Sequence, residues 1–539
     1  MLLKTSKGKR LILSLILLGI FMLLNGLTTG CGGQGAQAPA NLKTLTISWP
    51  KDIGEMNPHL YNSEMFAQTM VYDSLVQCSN DGRIVPGLAE SWRISPDGRE
   101  YLFTLRKGVR FSDGTDFNAA AAKKNFDAVL ANKQSHSWLE LIKQIKAIEV
   151  IDEYTFKMTL NNAYYPALQE LALIRPLRFL APSAFPDNGN TADTIKKPIG
   201  TGPWVLNEYQ PGERAVFVRN EYYWRTKPAI ERIIVKIIPD SESRVIAFEK
   251  KELDLIYGNG SISVDAFKQL RDSGKYDTRL SAPLATRTIA LNSNKGPTKD
   301  LQVRQALELA VDKDALVKGI FFGTERQADT LFAPSFPYCN INLTPYEFNL
   351  EQAGAMLEQA GWRLIPGKEF REKDGQVLAL DLCVEATNAI QKSIAEVLQG
   401  DMRKIGVKLN LITEEAVAFV QRRKEGDFHM AFVDTWGVPY DPHSLLSSMR
   451  EPSTDYQVQL GLPMKARLDE AISQALISTN KEKRQELYTY ILRTLHDQAI
   501  YIPLTYLSNL AVYHKKISGV AFQANQCDIP FADMEVQQD

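Results

Sequence analysis

Residues 435–456 read TWGVPYDPHSLLSSMREPSTDY, and two rings, an imidazole, a thioether and a guanidinium fall close together there: Trp436, Tyr440, His443, Met449 and Arg450. Such a set can coordinate a metal, enclose something that itself carries a metal, or simply pack. Other residues capable of strong ligand chemistry lie far off in the chain. Arg175 interrupts the apolar run LALIRPLRF, where a guanidinium is costly to bury unless an anion meets it. Its planar fork suits a carboxylate, supplied either by a ligand or by an internal salt bridge. Trp138 in HSWLEL, with Tyr61 and Met65 in HLYNSEMF, adds two rings and a soft thioether. The structural alternative for each tryptophan is a place in the core. A pocket of rings, one arginine and a few hydroxyls suits a flat, carboxylate-bearing ligand. It suits a naked divalent transition-metal ion badly, because such an ion prefers imidazole nitrogen and oxygen donors.

The six histidines, His59, His136, His429, His443, His496 and His514, include no pair at H-x-x-x-H spacing. His59 follows NP and His443 follows DP, turn settings in which hydrogen bonding to backbone is the expected role. Cys78, Cys339, Cys383 and Cys527 are far apart with no C-x-x-C, which argues against a structural zinc cluster and for mostly buried single thiols. No G-x-S-x-G elbow, H-E-x-x-H or phosphate-cradling glycine loop is present, so no enzyme is expected. A net charge of −1 over 539 residues gives no basic surface for nucleic acid.

The elements that must position these residues read as mixed α/β. TLTISW (44–49) and YTFKMTL (154–160) alternate as strands do, whereas 118–132 and 301–321 carry helical apolar spacing. SPDGREY (95–101) and SDGTDF (112–117) are turn chemistry between strands. At the start of the chain, Lys4, Lys7, Lys9 and Arg10 precede the apolar run 11–24, the order of a secretory signal. Thr29 and Gly30 then lead into Cys31. This resembles a lipoprotein signal with Cys31 as the acylation site, followed by a small, polar tether over 32–42. Thr28 stands where such signals usually carry an aliphatic residue, and a plain cleaved signal is the alternative. Either way the mature protein is expected outside the cytoplasm, anchored to the outer face of the membrane or periplasmic.

Longer motifs carry a more specific resemblance. GLAESWRISPDGREYLFTLRKGVRFSDGTDFNAAAAKKNF (87–126), IGTGPWVLNEYQPGERAVFVRNEYYW (199–224), LQVRQALELAVDKDAL (301–316) and the helix ending EQAGW (358–362) are similar to family 5 of the extracellular solute-binding proteins, which serve peptide, nickel and opine ABC importers. NPHLYNSEMFAQTMVYDSLV (57–76), HSWLEL, 164–183 and 435–450 resemble its nickel-binding branch most. The resemblance implies a two-lobe, three-subdomain clamshell of the large periplasmic-binding-protein type. One lobe spans 43–283 with an inserted subdomain at about 87–199, the other spans 284–503, and 504–539 returns to the first. Crossing segments are expected near 281–288 and 501–506, with the ligand in the cleft between lobes.

By the same resemblance Arg175 grips a chelate carboxylate, and Trp138 and Trp436 form facing walls from opposite lobes. Tyr61, Met65, Tyr440 and Cys527 line the remainder. Arg450 is a candidate second fork, its alternative an ordinary ion pair. Two positions depart from the nickel-binding pattern: Thr454 replaces a metal-ligating histidine, and Ser135 replaces a second arginine. The expectation is therefore a monomeric binding protein with no protein metal ligand assigned. Its cargo is nickel or another transition metal wrapped in a histidine-like or opine-type chelator, and its partners are an ABC permease and its ATPase subunits. A peptide binder or a haem binder are the alternatives. Against the first, no acid stands in 436–440 to meet a peptide ammonium; against the second, no axial residue stands out.

Overall fold

A computed structural model describes residues 42–80 and 82–537. The signal segment with Cys31, and the tether apart from Leu42, lie outside the described residues. Thr44–Trp49 is a strand with Leu45 and Ile47 turned into the core, as its alternation requires. It pairs in parallel with Leu255–Tyr257 and Arg232–Ile237. The seven-stranded sheet around it runs Asp277–Leu280, Leu510–Tyr513, Leu255–Tyr257, Thr44–Trp49, Arg232–Ile237, Arg214–Arg219 and Trp204–Gln210. A second sheet of six strands runs Arg326–Gln327, Tyr501–Leu507, Ala285–Leu291, Met430–Asp434, Ala379–Glu385 and Lys408–Glu414. Its strand Ala285–Leu291 is buried at every position, as a strand covered on both faces must be. The mixed α/β fold thus has two lobes, one on each large sheet.

A four-stranded antiparallel sheet (Ala89–Ile94, Glu100–Leu105, Thr155–Leu160, Ile145–Asp152) stands between Thr44–Trp49 and Trp204–Gln210 in the chain. The helix Ala119–Ala131 packs on it, opened by Asn118, whose side chain accepts from the Ala121 amide at 2.9 Å. SPDGREY supplies the turn of its first hairpin. The periodic stretch 301–321 is not one helix but two, Leu301–Leu309 and Lys313–Gly319, because Asp312 caps the second through the Ala315 amide. Among the described residues no helix is long and apolar enough to cross a membrane.

The chain passes between the two large sheets at 281–284 and again at Ser508–Asn509. The second passage corrects the expectation of a crossing within 501–506 and of a return to the first lobe at 504. Tyr501–Leu507 is a strand of the six-stranded sheet throughout. Its Pro503 falls opposite Thr288, where the register shifts, and a bulge is where a strand tolerates a residue without an amide proton. The two passages are tied together: the Ser281 amide donates to the Asn509 carbonyl at 3.0 Å, and the Asn509 amide to Ser281 Oγ at 2.9 Å. Away from them the lobes also touch, through the Lys143–Glu451 ion pair at 2.5 Å.

Candidate functional site

The loop after Met430–Asp434 is shaped by Asp441. Its carboxylate folds back to accept from the amides of Trp436 at 2.7 Å and Gly437 at 2.5 Å. Burial pushes that carboxyl up to about 7, against the pull of the two amides. Gly437 has φ of +77°, and a Cβ there would lie 1.8 Å from the Leu284 carbonyl oxygen in the first passage, so only glycine lets the loop lean on that strand. The result is to hold Trp436 half out of the surface, at 52% exposure, with Tyr440 buried beneath it. Their ring centroids are 5.7 Å apart.

From the other lobe, Trp138 follows the turn Lys133–His136 and stacks on Tyr440, with centroids 6.5 Å apart and planes at 27°. Trp138 is likewise 44% exposed. The two tryptophans thus flank one tyrosine and line one cavity of about 580 Å³. Tyr61 lies against Trp138, with ring centroids 5.9 Å apart. Its hydroxyl accepts from Trp138 Nε1 at 2.8 Å and lies 2.9 Å from His136 Nδ1. Nε2 is buried without a partner, and burial lowers the pKa of this ring.

Arg175 lies with its guanidinium carbon 5.3 Å from the Tyr61 ring centroid. One nitrogen, Nη1, donates to the carbonyls of Tyr61 at 3.0 Å and Ser63 at 2.7 Å. Among the described residues it forms no ion pair, so the internal salt bridge is absent. Cys527 and Tyr440 both sit in its field. Burial pushes the Cys527 thiol up to about 12 although Arg175 opposes it, and burial likewise raises the Tyr440 hydroxyl. Both are therefore neutral groups at neutral pH. Tyr440 Oη reaches Met65 Sδ at 3.9 Å. Seven of the eight residues singled out in the sequence are thus joined by contact or by electrostatic proximity.

Arg450 is the exception. Its guanidinium is held by Ser473 Oγ and Ser447 Oγ, each at 3.1 Å, and no hydrogen bond, ion pair or ring contact links it to the other seven. It is neither a second fork in the cleft nor part of an ion pair among the described residues, because the neighbouring hydroxyls capture it. Thr454 lines the cavity at the start of the helix Thr454–Gln459, whereas Ser135 is exposed and donates to Asn132 at 3.1 Å. The His59 ring meets the backbone of Arg178, as expected, and two side chains as well. It lies between Thr191 Oγ1 at 2.8 Å and Asn125 Oδ1 at 3.0 Å, with burial lowering its pKa to about 4. His443 departs from the turn role: it is buried 3.6 Å from Glu170 of the facing lobe. The four described cysteines are single thiols, Cys339 and Cys383 buried, Cys78 and Cys527 half-buried. Among the described residues no group of three or more His, Cys, Asp or Glu side chains is arranged to hold a metal ion.

The sequence reading missed Glu385, Asp434, Asp455 and Arg423, which supply the charge on the second lobe's wall of the cavity. Arg423 sits in QRRKEG, which reads as a solvated helix end. It is drawn inward by the Phe432 carbonyl at 2.9 Å and by the Phe419 ring, 4.2 Å from its guanidinium carbon. No local pattern signals that. His136 had a signal, its place two residues before Trp138.

Comparison with known proteins bears on the family and the fold. A model of the bacterial extracellular solute-binding proteins, family 5 middle region, matches residues 83–457. The nickel-binding periplasmic protein of Escherichia coli K12 is 47% identical over 494 residues, 91% of this chain and 94% of that protein. NikA from Brucella suis, solved in complex with Fe(III)-EDTA, is 50% identical with a TM-score of 0.90, over 92% of this chain and 100% of that one. NikZ from Campylobacter jejuni, solved in complex with Ni(L-His), is 25% identical with a TM-score of 0.77, over 92% and 99%. With a family match running from the first hairpin to the helix at Thr454, and near-full-length likeness to such relatives, the chain belongs to the bacterial extracellular solute-binding proteins of family 5.

Proposed function

We propose that this protein is the substrate-binding component of a nickel-type ABC importer and that its cargo is a metal ion already wrapped in an organic chelator. The observation that carries the reading is the half-engaged guanidinium of Arg175, anchored on one edge by two carbonyls and left without a carboxylate. A fork presented beside rings from both lobes matches a flat ligand bearing carboxylates better than a bare cation. The metal-bearing complexes named for the two solved relatives support the same reading. The metal's donor atoms come from the chelator, and the protein reads the chelator's carboxylate and shape. Contacts from both lobes are made together only when the cleft is shut, so the ligand favours closure. The closed form then delivers its cargo to the permease and ATPase subunits. Anchoring through an acylated Cys31 keeps the protein at the outer face of the membrane.

Thermal denaturation tests the reading against a peptide cargo. Ligand that binds only the folded state raises the melting temperature by mass action. Ni(II) premixed with L-histidine, or Fe(III)-EDTA, is expected to raise it, while dipeptides leave it unchanged. A rise with dipeptides alone overturns the assignment.

A further inference from the structure

A second cavity, of about 440 Å³, is lined by residues that the aromatic site does not use. It adjoins that site along the chain at two places: Pro439 in its wall precedes Tyr440, and Asp528 follows Cys527. Five charged groups of both signs border it, Asp73, Asp528, Asp533, Arg178 and Arg225. Two of them are deeply buried, Arg178 at 7% exposure and Asp73 at 5%. Yet no two of the five form an ion pair. Arg178 donates through Nε to the Leu173 carbonyl at 3.2 Å and through Nη1 to the Tyr72 carbonyl at 2.7 Å, leaving Nη2 without a protein partner. Asp73 accepts on Oδ2 from Thr201 Oγ1 at 3.0 Å and Trp224 Nε1 at 2.8 Å, leaving Oδ1 without a hydrogen bond among the described residues. Burial lowers the pKa of Arg178 and raises those of Asp73 and Asp528; the opposite charges across the cavity act against burial in each case.

Buried charges are ordinarily paired, because an unpaired one forfeits its hydration. Here a guanidinium edge and two carboxylates are held apart around a space of the size that small ligands fill. A molecule with both charges satisfies them at once, and one with a single charge leaves the other unmet. The rest of the wall includes Met70, Ile174, Trp204, Ile529 and Phe531, which favours an apolar substituent between the charged ends. We propose that this cavity is a second binding site, for a zwitterionic α-amino acid with an apolar side chain, its carboxylate on Arg178 Nη2 and its ammonium on the Asp73 and Asp528 side. The site stands independently of the chelate reading, since none of Arg175, Trp138 and Trp436 belongs to it.

The test uses the full chain and calorimetric titration with L-leucine, with 4-methylpentanoate and L-leucinamide as ligands carrying one charge each. L-Leucine is expected to bind, and each single-charge ligand to bind at least about tenfold more weakly. Asp528→Asn keeps the shape and removes the charge, and is expected to weaken L-leucine at least about tenfold. Trp436→Ala, at an exposed position of the other site, is expected to leave L-leucine binding unchanged. The proposal is overturned by no heat up to about 10 mM L-leucine, or by equal binding of a single-charge ligand. It is overturned equally by loss in Trp436→Ala with none in Asp528→Asn, which places the amino acid in the aromatic cleft. A crystal grown with L-leucine decides the placement directly: density for the amino acid against Arg178 supports the site, and water alone there refutes it.

Discussion

Replacing Arg175 by alanine removes a guanidinium that lies beside the Tyr61 ring with only Nη1 engaged. Nη1 is already engaged by the Tyr61 and Ser63 carbonyls, so Nη2 and Nε are the edge left for the chelate carboxylate that the proposed function requires. A hydrogen bond to a charged group contributes about 1.5–3 kcal/mol, and truncating one side of a desolvated pair costs about 2–5 kcal/mol. Arg175 is half-buried rather than fully enclosed, which places the expected loss at about 2–4 kcal/mol, or roughly thirtyfold to a thousandfold in affinity. The same change also frees the carbonyls of Tyr61 and Ser63 just ahead of the helix Met65–Val71. Arg175→Lys separates the two effects, because lysine keeps the charge but loses the fork. Its affinity is expected to fall between wild type and alanine. The assay is calorimetric titration with Fe(III)-EDTA and with Ni(II)–histidine on all three proteins, with thermal denaturation as a check on folding. Unchanged affinity in a folded Arg175→Ala protein refutes the role.

Three further perturbations follow from the same geometry. Trp138→Ala removes the ring stacked on Tyr440 and the donor to Tyr61, and is expected to weaken chelate binding about two- to tenfold; calorimetry that shows no change contradicts the wall assignment. Gly437→Ala puts a Cβ 1.8 Å from the Leu284 oxygen at positive φ, so it should cost more than about 1 kcal/mol and lower the melting temperature by about 1 °C for each kcal/mol lost, and an unaltered melting curve counts against the strained turn. Glu170 and His443 give a pH dependence: burial raises the Glu170 carboxyl to about 8 from 4.5 and lowers His443 to about 3 from 6.5. Between pH 6.5 and 8 the folded chain keeps most of a proton on Glu170 that the unfolded chain has released, while the unfolded chain sheds its remaining His443 charge and offsets part of the trend, so stability still falls as pH rises. Over about one and a half pH units the net change amounts to about 1 kcal/mol, and Glu170→Gln is expected to remove the decline in melting temperature across this window; an equal decline in both proteins refutes it.

Local pattern revealed the individual elements well. TLTISW and YTFKMTL alternate because one face of each meets a core, and the helix at 119–131 begins where Asn118 can cap it. The rings of the cleft were legible only through the resemblance of HSWLEL and 435–450 to the nickel-binding branch, and Trp138 and Trp436 both stay half exposed in the fold. What was not legible depends on contacts between distant segments. Nothing near Arg450 announces that Ser447 and Ser473 will hold it. Nothing near His443 announces a buried carboxylate from residue 170. The break after Leu309 lies within one apolar period, and only the capping geometry of Asp312 reveals it. Pro503 suggested an interruption, but a shift of register at Thr288 accommodates it within the strand.

The most direct measurement is a pair of calorimetric titrations of the full chain, one with bare Ni(II) in chelator-free buffer and one with Ni(II) premixed with L-histidine. Recognition through the organic coat predicts binding of the wrapped ion and no comparable heat from the bare one, with native mass spectrometry finding metal and chelator retained together. Tight, single-site binding of bare Ni(II), with no small acid held beside it, contradicts that recognition.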